Sequence, residues 1–148
     1  MFNRAATTIE RCLHPAAGEA WLPADITTFF NPATGVGVGT FPAAWTAIAD
    51  PISAAQYVCL DELLVSGATA TGVYEFEIGV GPFGNEVTIT AVRVYYDNSA
   101  AGRRLTKAAR VKAPLIAPGT RVSIRSRCSA AGVQTPDVQV GYHLHPTV

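Results

Sequence analysis

Gly79-Val80-Gly81-Pro82-Phe83-Gly84 follows a strand-like run at Val73–Ile78. A G-x-G-x-x-G string in that position is how a dinucleotide fold presents its phosphate-binding turn. That chemistry needs the last glycine to open a helix, whose N-terminal amides and dipole hold the pyrophosphate. Here the chain continues Asn85-Glu86-Val87-Thr88-Ile89-Thr90, which is rich in β-branched residues and poor in helix formers. Pro82 removes one amide. The acid required at the end of a second strand is missing, since Asp97 comes too early and starts a loop. The string is therefore expected as a hairpin loop, with its glycines supplying positive φ and Gly84-Asn85 closing the turn.

His143-x-His145 places two imidazoles on one face of a strand, where they could grip one metal ion as in metal-binding double-stranded β-helix enzymes. Such a site needs a third ligand, and the remaining histidine, His14, lies far away in sequence. The pair is expected as the exposed polar face of a strand, and a small metal-dependent β-barrel enzyme is the reading it displaces. Cys128 with either histidine would make a thiolate pair, but no helix N-terminus or orienting acid is in view to activate it. No GxSxG occurs, and Glu75 and Glu77 share a strand face without the marks of a cleft. Neither a catalytic residue nor a cofactor or metal is expected.

Arg121, Arg125 and Arg127 share one face of a strand, with Arg103, Arg104, Lys107, Arg110 and Lys112 upstream. Guanidinium groups pair carboxylates bidentately, so such a face can dock on an acidic partner surface. It can equally pair across strands with Glu75, Glu77 or Glu86 of its own sheet. Nucleic acid is not expected, because aromatic residues do not interleave with the basic ones as stacking platforms would.

The elements that must position these residues are short strands. Residues 56–65, 73–78, 86–96, 120–128 and 137–145 each carry strand-like sequence, with a weaker strand after residue 105. In the run 86–96 the apolar parity shifts from Val87, Ile89 and Ala91 to Val92, Val94 and Tyr96, which predicts a bulge near Ala91. In the last strand Val138, Val140, Tyr142 and Leu144 are expected inside and Gln139, His143 and His145 outside. Half-buried strands at this spacing predict an all-β fold, an antiparallel sandwich or barrel.

Residues 1–44 differ. Prolines at 15, 23, 32 and 42 forbid a long helix, yet Trp21, Leu22, Phe29, Phe30 and Phe41 are too apolar for a disordered tail. An extended apolar segment should lie on something, either its own domain or a neighbouring subunit. It is read as an arm contacting neighbours, through Trp21, Phe29 and Phe30, ahead of a sandwich over 45–148.

Charged residues are 15% of the chain and apolar residues 49%, against about 25% charged in an ordinary soluble domain. A surface so short of charge suggests cover by other chains. Residues 1–92 carry two basic and nine acidic side chains, and residues 93–148 carry nine and two. Opposite halves of this kind suit head-to-tail contact between copies. Three cysteines without a CxxC pair point to thiols in a reducing cytoplasm, with Cys59 and Cys128 as small core residues. No apolar run approaches a membrane span and no signal-peptide core is seen, so neither membrane insertion nor export by the standard route is expected.

The segments Glu77–Gly81 with Gly84 and Glu86, and then Pro114–Arg127, together resemble a signature of virion proteins in tailed bacteriophages. In that group a strand ends in a glycine-rich, acid-flanked stretch, and a later proline-apolar-proline-Gly-Thr-Arg segment leads into an arginine-rich strand. The resemblance covers roughly residues 45–142. It implies a jelly-roll-like β-sandwich without catalytic residues. The expected role is capsid decoration: a homo-dimer or homo-trimer that binds the major capsid protein outside the head shell, assembled in the host cytoplasm. The alternative is a tail or baseplate protein that binds a host glycan through Tyr95 and Tyr96.

Overall fold

A computed structural model of the chain describes residues 20–99 and 106–145. Eight strands follow one another: β1 (Ala20–Leu22), β2 (Thr46–Ala49), β3 (Tyr57–Gly67), β4 (Gly72–Val80), β5 (Val87–Tyr96), β6 (Lys107–Arg110), β7 (Val122–Cys128) and β8 (Asp137–His145). They form two four-stranded antiparallel sheets, ordered β1-β8-β3-β6 and β2-β7-β4-β5, packed as a sandwich. The expectation of an all-β antiparallel sandwich holds. Among the described residues there is no helix, so none is long and apolar enough to cross a membrane.

Alternation explains the core. Tyr74, Phe76 and Ile78 of β4 meet Val92, Val94 and Tyr96 of β5 and Val122 and Ile124 of β7; the facing sheet contributes Leu60, Leu63, Val65, Val138 and Val140. Each such side chain adds about 1.5–3 kcal/mol on burial. The two core phenols keep their hydroxyls satisfied, Tyr74 donating to the Ala70 carbonyl at 2.8 Å and Tyr96 to that of Ser66 at 2.7 Å. Burial pushes the Tyr74 hydroxyl well above the usual phenol range.

Bulges reset the parity. Between β4 and β5 the register passes from Ile78↔Thr90 to Gly79↔Thr88, so the extra residue is Ile89, two positions before the Ala91 bend that the sequence suggests. Between β3 and β8 it passes from Leu60↔Tyr142 to Glu62↔Gly141, leaving Asp61 as the extra residue. This second bulge lets Leu60 and Leu63 both face the core.

Residues 20–44 lie on their own domain. β1 extends the first sheet beside β8, with Trp21 opposite Gly141. Phe30 bridges Val138 through two backbone hydrogen bonds of 2.9 Å and packs against the core. The segment then crosses to the second sheet: Thr34 bridges Ser126, and the Ser126 hydroxyl donates to the Pro32 carbonyl at 2.5 Å. Of the residues expected to reach neighbours, Trp21, Phe29 and Phe30 are all half-buried within this layer. Residues 1–19 of the expected arm, with Cys12 and His14, lie outside the described residues.

Candidate functional site

On the outer face of the second sheet, strand register brings opposite charges together. Glu75 on β4 stands between Arg127 of β7 and Arg93 of β5, and Glu77 stands opposite Arg125. Arg127 Nη2 donates to Glu75 Oε1 at 2.6 Å, and Arg93 Nε donates to Glu75 Oε2. Arg125 grips Glu77 Oε2 from Nε at 2.7 Å and from Nη2 at 2.6 Å. Arg121 donates to Glu86, whose side chain is almost wholly buried.

Aromatic residues complete the layer. The Arg125 guanidinium lies 4.4 Å from the Trp45 ring centre and 4.8 Å from that of Phe41, while Arg127 lies 4.7 Å from Phe41 and Arg121 5.3 Å from Phe83. Each contact is worth about 0.5–2 kcal/mol, more as water is excluded. The three arginines singled out in the sequence are thus paired and stacked within the chain, the cross-strand arrangement with Glu75, Glu77 and Glu86. Burial works to raise the Glu75 carboxyl, but the hydrogen bonds from Arg93 and Arg127 outweigh it and hold it below its ordinary value. Arg103 and Arg104 lie outside the described residues.

The glycine string borders this face, and its glycines do different work. Gly81 and Gly84 have φ of 127° and 80°, as a tight turn between strands requires. Gly79 does not; it leaves room for Trp45, a role the hairpin expectation did not assign. A groove of about 530 Å³ beside the loop is lined by Asp50, Gly81, Pro82, Phe83, Gly119, Thr120 and Arg121. Its cation is already committed, Arg121 pairing Glu86 and standing 3.9 Å from Asp50. No helix follows to receive a phosphate.

The outer face of the first sheet departs from expectation. His143 and His145 do point away from the core, but they are 1% and 6% exposed, so the exposed polar face read from the sequence is corrected. Cys59, the register partner of His143, is 2% exposed. One ligand atom from each of Cys59, His143 and His145 lies within 4.8 Å of the others. The two imidazoles meet edge to face with ring centres 4.6 Å apart. Asp61, the extra residue of the β3 bulge, accepts a hydrogen bond from His143 Nδ1, and His143 Nε2 is buried without a hydrogen-bond partner. The sequence reading paired the histidines with Cys128, which belongs to the core on the other sheet. The available signal for Cys59 was its parity, opposite to that of Val58 and Leu60.

Several large apolar side chains remain outside. Val73 and Tyr95 are cross-strand partners, and Val36, Val38 and Val133 lie in the loops that bind the same end of the sandwich. There Ser129 N donates to the Val73 carbonyl, Gly132 N to that of Val36 and Gly39 N to that of Cys128. Val36, Val38, Tyr95 and Val133 are each more than half exposed. Tyr95 and Tyr96, grouped together in the glycan reading, are separated: Tyr96 is core and only Tyr95 reaches solvent. Compared with protein-family models, curated proteins and solved structures, the chain matches none.

Proposed function

We propose that the chain is a non-enzymatic structural protein of a tailed-phage particle. In this reading it is a decoration protein that binds the major capsid protein on the outside of the head and meets copies of itself. The observation that carries it is the bare apolar end of the sandwich. Val36, Val38, Val73, Tyr95 and Val133 gather where β4 begins and β5 and β7 end, while Glu75, Glu77, Arg125 and Arg127 of the adjoining face pair one another. Charges satisfied within the chain beside an exposed apolar set suit contact with another protein surface.

Topology supports the same reading. β1 pairs β8, β2 pairs β7, β3 pairs β6 and β4 pairs β5, a long hairpin wound up so that β3 also lies beside β8 and β4 beside β7. That order supports reading the sandwich as a jelly roll, an architecture used by viral capsid domains. The signature at Glu77–Glu86 and Pro114–Arg127 adds the phage context by resemblance. Quantitative mass spectrometry of purified particles tests the proposal: hundreds of copies per particle are expected. A handful would transfer the chain to the tail, and absence from the particle would end the reading.

A further inference from the structure

The geometry points to a buried metal site on the outer face of the first sheet, with Cys59, His143 and His145 as protein ligands for one zinc ion and Asp61 as the residue that orients His143. The site is independent of the virion reading and rests on its own observations. Three donors of the type zinc prefers come from two adjacent strands. The register pair Cys59↔His143 sets one thiol across from one imidazole, and His145 follows two residues on, on the same face. Their ligand atoms lie within 4.8 Å of one another. A tetrahedral zinc ion with bonds of about 2.0–2.3 Å brings its ligands roughly 3.3–3.7 Å apart, so small side-chain rotations close the site.

The second observation is His143 itself. Its Nδ1 is held by the Asp61 carboxylate, and its Nε2 is buried without a hydrogen-bond partner. A buried polar atom of this kind calls for an explanation. A carboxylate on one imidazole nitrogen with the other facing a metal is the usual support of a histidine ligand. Asp61 follows Cys59 by two residues on β3 and so shares its face of the sheet.

Cys59, His143 and Asp61 could be drawn as a nucleophile, base and orienting acid. Burial decides against it, since Cys59 and His143 are both shut from solvent and a substrate would have no approach. A buried Cys-His-His set suits a structural ion, with the fourth position open to a small ligand such as water. On binding, the Cys59 thiol gives up its proton to solvent as the sulfur–zinc bond forms, and both imidazoles bind in the neutral form. Affinity therefore falls as pH drops.

The full chain, stripped with a chelator and dialysed against zinc, is expected to retain one ion per chain and to melt at a higher temperature. With cobalt in place of zinc it should show a thiolate-to-cobalt charge-transfer band. Cys59→Ala should abolish the band and Cys128→Ala should keep it. Asp61→Asn should keep the stoichiometry and weaken affinity about 10–100-fold. Wild-type protein that retains no metal and shows no band overturns the proposal, whatever the variants do. So does a band that survives in Cys59→Ala.

Discussion

The Trp45 indole fills the space above Gly79 in which a Cβ would stand, 2.7 Å from Cη2 and 2.8 Å from Cζ3. The first glycine of the apparent nucleotide motif is thus a seat for an aromatic ring. That ring in turn stacks on Arg125, which holds Glu77. A single absent side chain therefore supports a layer of three others.

Gly79→Ala tests this seat. Gly79 does not have positive φ, so alanine strains no backbone and the whole effect is the displaced indole. A loss of about 1–3 kcal/mol is expected. In a Trp45→Ala background the same substitution should cost almost nothing, because the clash is gone. Urea denaturation of the four proteins gives the coupling; additive losses would mean that the ring does not rest on the glycine.

Reversing charge on the arginine strand should strike folding before docking. Arg125→Glu and Arg127→Glu each place a carboxylate against Glu77 or Glu75 and forfeit a stacked aromatic partner. About 2–3 kcal/mol each is expected, below the 3–5 of a fully buried pair because both guanidiniums reach solvent. Denaturation midpoints of the isolated protein read the effect. Unchanged midpoints would return these arginines to the role of a free docking face.

Acid should loosen the same layer in a defined direction. The Glu75 carboxyl is opposed by burial but held below its ordinary 4.5 by the hydrogen bonds from Arg93 and Arg127. A group whose folded value is depressed contributes stability in full above its unfolded value, and that contribution is lost as pH falls through the folded one. Stability of the wild type should therefore decline below about pH 4.5. Glu75→Gln should be less stable near neutrality and show a shallower decline in acid. Denaturation midpoints measured on both sides of that pH check the slope, and parallel profiles for the two proteins would refute it.

Much of this fold is legible in the residues, and what is not has physical causes. β8 occupies Asp137–His145 as its alternation predicts, and the Glu75 and Glu77 face meets the arginine face as like parity on adjacent strands requires. β1 and β2 escape because strands of three and four residues are too short for alternation to register, and proline surrounds the first of them. The Cys59, Asp61 and His143 grouping escapes for another reason. Parity tells which face a side chain takes, but not whether that face is covered, and the bulge at Asp61 depends on the partner strand. An apolar segment without period, such as residues 20–44, announces that it needs cover but not whose.

The hydroxyl of Ser126 shows whose cover it is. It is fully buried on β7 and donates to the Pro32 carbonyl, next to the Thr34↔Ser126 bridge. Ser126→Ala removes one donor and strands a carbonyl beneath the segment, at a cost of about 1–3 kcal/mol. Limited proteolysis should then cut within residues 30–40 sooner than in the wild type. Removing the chain through residue 40 goes further, since it takes away β1, the Phe30–Val138 bridge and the Thr34 contacts together. That truncation is expected to lose its β-sheet circular dichroism. A truncated protein that stays folded would restore the segment to the status of an arm free to lie on a neighbour.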